Sequence, residues 1–163
     1  MMKTREEMVE RFRKYVTASG CPCEVEHGED GDIILRMGFR LNNAVSTADL
    51  VVVAEEFGFR SYGSIENNAG NKTAEVGEFL VRASTNDVGH FSLNYDTGEI
   101  SYVLYVPYCV FVEDSDFEAL GIPVKRFAAF GDALLKVILG CSGPKAAFED
   151  CVNELLAKKE EEH

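Results

Sequence analysis

The chain has 163 residues, and its 16 lysine and arginine residues against 28 aspartate and glutamate residues give a formal net charge of -12. The length and a hydrophobic content of 46% fit a single globular domain over residues 1–163 with one core. Nucleic acid and anionic lipid both need clustered basic side chains. The charge therefore argues against both as partners, and we expect no nucleic acid and no membrane.

The amino terminus and the cysteines bear on the compartment. The first residues are followed by charged ones rather than by an apolar stretch, so we expect no secretory signal peptide. No run of about 18 apolar residues predicts a membrane-spanning helix. Five cysteines are an odd number in a chain long enough to fold without disulfide bonds. We therefore expect reduced thiols in a cytoplasmic protein.

A helix over residues 3–19 is the first predicted element. Thr4 to Glu7 match the capping box that commonly starts a helix. Gly20 and Pro22 are expected to end it. Between these signals one apolar stripe has helical spacing, at Met8, Val9, Phe12, Tyr15 and Val16.

A strand-rich region is predicted over residues 22–107. Apolar side chains alternate over residues 33–37, after an Asp-Gly turn. They alternate again over 91–95 and 100–106 on either side of the turn at 96–98, which predicts a hairpin. Alternation over residues 79–83 predicts one more strand.

Two further segments of this region are harder to assign. Residues 46–64 contain a helix-cap pattern, but the β-branched run at 51–53 favours a strand. Residues 65–76 are mostly small and polar, which predicts an exposed loop.

Residues 115–159 are predicted to be helical. Ser115 to Glu118 form a second capping pattern, which predicts a short turn ended by Gly121. A longer helix, apolar on nearly all sides, is expected between Pro123 and Gly140. A last helix follows, and the charged residues 158–163 predict a solvated tail. The stripe of that last helix is Phe148, Cys151, Val152 and Leu155.

This order of elements predicts the fold class. A helix, a run of strands and then a run of helices indicate an α+β protein rather than a doubly wound sheet. We expect an antiparallel sheet with an N-terminal helix and two to three C-terminal helices.

Three motifs are candidates for a metal-binding, redox or catalytic site. Cys21 and Cys23 lack the second ligand pair of a zinc site, and a turn explains them, although a redox role stays open. The acidic run 113–118 lacks the spacing of a calcium loop. His27 and His90 have no nucleophile motif near them. We therefore predict no catalytic residue, no metal and no cofactor.

The predicted strand around residues 100–108 is apolar on both faces. An antiparallel strand usually has one wet face. Either this strand is covered on both sides within the monomer, or one face meets a second subunit or a bound polypeptide. The candidate contact residues are Tyr102, Val103, Tyr105, Tyr108 and Phe111.

A family resemblance rests on the same region. The stretch Asn94-Tyr95-Asp96-Thr97-Gly98-Glu99-Ile100-Ser101-Tyr102 leads into Tyr105-Val106-Pro107, and the helix over 127–138 closes at a glycine and a proline. With the capped first helix, this order resembles the YbjN-like family of small bacterial proteins, whose fold is similar to type III secretion chaperones. The resemblance covers most of residues 3–156. It implies a protein that binds another polypeptide, often as a homodimer and without a cofactor, and it supplies no site residues.

The sequence leaves three functional hypotheses open. The first is a non-enzymatic, chaperone-like protein that binds another polypeptide, or itself as a homodimer, through an apolar strand or helix surface. The second is a small-ligand sensor or enzyme with a pocket between the sheet and the C-terminal helices. The third is a regulatory or immunity-type protein that blocks a basic target through its charge.

Overall fold

The computed structural model describes residues 3–162 and confirms the predicted α+β class. The helices are α1 (Arg5–Ala18), α2 (Thr73–Ser84), α3 (Ile122–Ile138) and α4 (Pro144–Glu161). The strands are β1 (Glu24–His27), β2 (Ile33–Arg40), β3 (Thr47–Ala54), β4 (Gly58–Asn68), β5 (His90–Leu93) and β6 (Glu99–Pro107). Two short 3₁₀ helices, Tyr108–Val110 and Asp114–Gly121, connect β6 to α3.

The six strands form one antiparallel sheet in the order β1-β2-β3-β4-β6-β5. Successive side chains of each strand point to opposite faces. The inner face, which contains Leu35, Val52, Phe59 and Tyr102, is fully buried at these positions. The helices pack on this face, so the sheet and the helical layer enclose one core.

Helix α1 begins and ends where its sequence signals predict. The backbone N–H of Glu7 donates to Oγ1 of Thr4 at 3.2 Å, which caps the helix. Gly20 ends it with a φ of +77°, a conformation that glycine adopts without strain. The Phe12 ring then lies 5.6 Å from the Phe59 ring on the sheet, which anchors α1 to the inner face.

Strand β2 and the hairpin of β5 and β6 form where the sequence predicts them. The hairpin turns at Gly98, whose φ is +76°. Most of residues 46–64 are strand, in β3 and β4, as the β-branched run predicts, because the alternate side chains Leu50 and Val52 enter the core.

The predicted strand at residues 79–83 is wrong, because this segment belongs to helix α2. Its buried residues have helical rather than alternating spacing, and Val81 between them faces solvent. The helix packs this stripe against β5 and α4. The stripe consists of Val76, Phe79, Leu80 and Ala83.

The predicted exposed loop at residues 65–76 is also wrong. Strand β4 continues to Asn68 and α2 begins at Thr73, so only residues 69–72 connect the two elements. Ile65, Ala69 and Val76 are buried, although the residues around them are polar. Three well-spaced apolar side chains were enough to attach this segment to the core.

The C-terminal helices form as predicted, with two differences in detail. Glu113, rather than Ser115, is the N-cap of the 3₁₀ segment, and Asp116 is the N3 residue of its capping box: the Asp116 carboxylate accepts the N–H groups of Val112 and Glu113 at 2.8 and 2.7 Å. These hydrogen bonds lower the pKa of Asp116, and the bond from Glu113 has the largest effect. Residues 158–161 are exposed but belong to α4, and His163 lies outside the described residues.

Candidate binding surfaces

The outer face of the sheet carries rows of apolar side chains that face solvent. In one row Ile34 lies opposite Val53, Val53 opposite Arg60, and Arg60 opposite Tyr105. In the next row Val51 lies opposite Tyr62, which lies opposite Val103. The resulting outer patch is formed by Ile34, Val51, Val53, Tyr62, Val103 and Tyr105.

The outer patch is half-buried by its own neighbours and is not covered by the helices. Tyr62 and Tyr105 remain 36% and 38% exposed, while Phe59 on the other face of the same strand is 0% exposed. Phe57, in the turn between β3 and β4, is also exposed close to the end of β6, since its carbonyl accepts the N–H of Tyr108. A contiguous apolar surface of this kind is typical of an interaction site.

The Tyr105 side chain is held in place before any partner arrives. The Arg60 guanidinium lies 4.9 Å from the centroid of the Tyr105 ring. Arg60 is fixed in turn by two hydrogen bonds to Glu55, at 3.1 and 3.2 Å. The ring also covers Gly58, where a Cβ atom would come within 2.7 Å of it. A preorganised tyrosine loses little side-chain entropy on binding, which favours it as an anchor.

The structure separates the candidate contact residues that the sequence grouped together. Val103 and Tyr105 lie on the outer face, but Tyr102 lies on the inner face and is buried. Tyr108 and Phe111 are also buried, so they belong to the core and not to a contact surface of the folded monomer.

A change in local structure explains the burial of Tyr108 and Phe111. The chain leaves β6 after Pro107 and makes one 3₁₀ turn, so the alternation of the strand ends there. Both rings then fold back onto Phe59, with centroid distances of 5.1 and 5.5 Å. The Tyr108 hydroxyl donates to the Glu55 carbonyl, and burial raises the pKa of Tyr108 to about 12.

Four members of the outer patch were missed by the sequence analysis. Ile34, Val51, Val53 and Tyr62 belong to β2, β3 and β4, which come to lie on one side of β6 only in the folded sheet. The alternation of Val51 and Val53 with buried neighbours was a usable signal, because it makes both faces of β3 apolar.

A groove opens on the other side of the sheet, where α1 and the segment that leads into α3 diverge. Its volume is about 370 Å³. The floor and walls are apolar, and the polar mouth is formed by Tyr15, Ser19, Glu118 and Lys125, with Cys21 beside them. Burial, and then the nearby Glu118 carboxylate, raise the pKa of Tyr15, which keeps its hydroxyl protonated. The apolar lining is formed by Phe12, Val16, Met37, Phe39, Leu50, Phe117 and Leu120.

A polar cluster joins α3 to the loop between α2 and β5. Arg126 donates two hydrogen bonds to Asp87, at 2.6 and 2.7 Å. These bonds are the main reason why the pKa of Asp87 falls to about 2. The Tyr102 hydroxyl accepts the N–H of Gly89 at 3.1 Å, and it adds a smaller effect in the same direction to the pKa of Asp87. Every polar group here has a partner, so we interpret the cluster as a clamp that holds the fold.

The cysteines and histidines do not form a reactive centre within the described residues. Burial raises the pKa of both Cys21 and Cys23, and in Cys23 the neighbouring Cys21 adds to the effect. His27 and His90 lie on the two opposite edge strands of the sheet. Among residues 3–162 no three His, Cys, Asp or Glu side chains are arranged to hold a metal ion.

None of the helices in residues 3–162 has the length and apolar character that crossing a membrane requires. Comparisons with protein-family models, with curated proteins and with solved structures give no match to this chain.

Proposed function

We propose that this chain is a non-enzymatic, chaperone-like bacterial protein that binds another polypeptide through the outer patch. The proposal keeps the resemblance to the YbjN-like family and to type III secretion chaperones, and it places the protein in the cytoplasm. The partner that we propose for the outer patch is a second copy of the chain, which gives a homodimer.

The observation that carries this proposal is the apolar character of a sheet face that the helices leave uncovered. Val51 and Val103 both lie opposite Tyr62, and Val53 lies opposite Arg60, which borders the patch. Tyrosine and arginine are the residue types that most often anchor protein interfaces, and both occur here in a fixed arrangement.

The charges around the outer patch favour a second copy over a basic partner. Arg36 pairs with Glu26 at 3.3 Å, and Arg60 pairs with Glu55 at 3.1 Å, so the basic groups in and beside the patch have carboxylate partners. A patch with balanced charge does not repel its own copy, which an isologous dimer requires. A basic partner would instead be drawn to the acid-rich remainder of a chain with net charge -12.

The test is sedimentation velocity of the full chain and of the variant Tyr105→Asp. The wild type is expected to dimerise at micromolar concentration. Burying an aspartate at an anchor position should weaken the dimer by at least about tenfold. A matched control is Tyr95→Asp, because Tyr95 is 69% exposed and its hydroxyl lies beside Gly77 on α2, away from the outer face.

The proposed homodimer is contradicted if the wild type stays monomeric over this range, or if Tyr105→Asp and Tyr95→Asp sediment alike. Thermal unfolding of all three proteins by circular dichroism separates lost dimerisation from lost folding. A monomeric wild type that binds a purified client through Tyr105 would support the chaperone-like function and contradict the homodimer.

A further inference from the structure

We propose that the groove between α1, the inner face of the sheet and the start of α3 binds a small amphipathic molecule with an apolar body and a carboxylate head, which Lys125 holds at the mouth. This site does not depend on the proposed function, because it lies on the opposite side of the sheet from the outer patch.

The shape of the groove is suited to such a ligand. Its volume of about 370 Å³ falls within the range of about 300–1,000 Å³ that is usual for small-molecule sites. Met37 and Leu50 form its floor from the inner face of β2 and β3. Phe39 lies on the same face and is only partly buried. An apolar body in the groove would complete the burial of this end of the core.

The polar groups lie together at the mouth rather than in the apolar part. Ser19 already donates its hydroxyl proton to the Val16 carbonyl at 2.7 Å. Cys21 is a neutral thiol directed to the Pro22 carbonyl. Tyr15, Glu118 and Lys125 therefore supply the hydrogen-bonding capacity that a ligand head could use.

The balance of these three groups favours a carboxylate head. Lys125 forms no ion pair with any described residue, and both its ammonium group and the Tyr15 hydroxyl are donors. Glu118 is the one carboxylate that lines the groove, and it opposes an anionic head from the same rim. A carboxylate head therefore predicts that ligand binding weakens when the charge of Lys125 is removed and strengthens when the charge of Glu118 is removed.

The experiment is calorimetric titration of the full chain with decanoate, with decylamine as the ligand of equal length and opposite charge. Decanoate should bind more tightly than decylamine. Lys125→Met should weaken decanoate binding by about three- to fivefold, which is the scale of an exposed ion pair, and Glu118→Gln should strengthen it. Decylamine binding at equal or higher affinity would overturn the carboxylate head, and so would tighter decanoate binding by Lys125→Met or weaker decanoate binding by Glu118→Gln.

A pair of glycine variants tests whether the groove is the site. Gly121 lines the groove, and a Cβ atom there would meet no atom within 4 Å, so Gly121→Phe can enter the groove without a backbone clash. Gly143 has the same free space but lies at the start of α4, outside the groove. Gly121→Phe should reduce decanoate binding at least tenfold, and Gly143→Phe should leave it unchanged.

Equal decanoate affinity in the two glycine variants would remove the groove as the site. Amide chemical shifts of the labelled protein provide an independent readout, because decanoate should perturb Met37 and Leu50 rather than the outer-face residues Val53 and Val103. Perturbation confined to Val53 and Val103 would place the ligand on the outer patch and contradict the proposal.

Discussion

The two faces of the sheet are built from similar residues but have different roles. On β3, Leu50 and Val52 point inward and are buried, while Val51 and Val53 point outward and are partly exposed. The contrast recurs on β6, where Tyr102 is buried and Tyr105 is not. Hydrophobic character therefore does not identify the core of this protein. The helical layer does, because it covers one face and leaves the other available to a partner.

The largest expected difference between the faces is the energetic cost of truncating an aromatic side chain. Phe59→Ala should lower the free energy of unfolding by about 3–5 kcal/mol, because Phe59 is fully buried among the rings of Phe12, Tyr108, Phe111 and Phe117. Tyr62→Ala, three residues later on the outer face, should cost less than about 1.5 kcal/mol. Urea unfolding of the two variants measures the comparison, and equal costs would contradict the assignment of the inner face as the core.

The next difference concerns space for one methyl group. A Cβ atom at Gly63, on the inner face, would lie 2.6 Å from Cβ of Pro123, so Gly63→Ala should push α3 away and cost about 1–3 kcal/mol. A Cβ atom at Gly38, on the outer face, would lie 3.8 Å from the nearest heavy atom, Oδ1 of Asp49. Gly38→Ala should therefore be neutral or stabilise by up to about 1 kcal/mol. Thermal unfolding distinguishes the two, and a destabilised Gly38→Ala would indicate that the outer face is already covered.

The smallest of these effects is the pH dependence of the clamp that attaches α3. Asp87 is 13% exposed, and its pKa of about 2 lies below the value of about 3.9 that is usual for an unfolded aspartate. Its stabilising contribution is therefore complete above about pH 4 and is lost as the pH falls through 2. Asp87→Asn should cost about 1–2 kcal/mol at pH 7, and this difference should shrink in the acid range.

Urea midpoints of wild type and Asp87→Asn, measured from pH 7 down to the acid limit of folding, test this prediction. Asp96→Asn is the control, because Asp96 is an exposed residue of the β5–β6 turn. A cost of Asp87→Asn that stayed constant through the acid range would mean that the ion pair with Arg126 does not stabilise the fold.

Local signals accounted for the elements that were predicted correctly. The cap at Thr4, the turn glycine Gly98 and the proline at the start of α3 act through a few neighbouring residues, so they are visible in the sequence. Helix α2 carried an equally local signal in the spacing of Val76, Phe79 and Leu80. The strand prediction was wrong here because every second residue of 79–83 is also apolar, and this shorter pattern is typical of a strand.

The burial of the aromatic residues that follow β6 could not be predicted from such local signals. Tyr108 and Phe111 continue the apolar run beyond Pro107, where the predicted strand region ends, and no local pattern shows that their rings turn towards the core. The 3₁₀ turn that follows directs both rings towards Phe59, some 50 residues earlier in the chain. The candidate surface therefore lost Tyr108 and Phe111, as well as Tyr102, to the core and gained others from β2, β3 and β4.

The sequence by itself determined the α+β class, the first helix, the sheet hairpin and the two C-terminal helices, because caps, turns and periodicity act over a few residues. Only the tertiary structure decided which apolar residues are core and which are surface, because that depends on strand neighbours and helix positions far apart in the chain. The outer patch and the groove both depend on this tertiary packing. Each is a surface that the helical layer leaves uncovered, and its position follows from packing rather than from any motif.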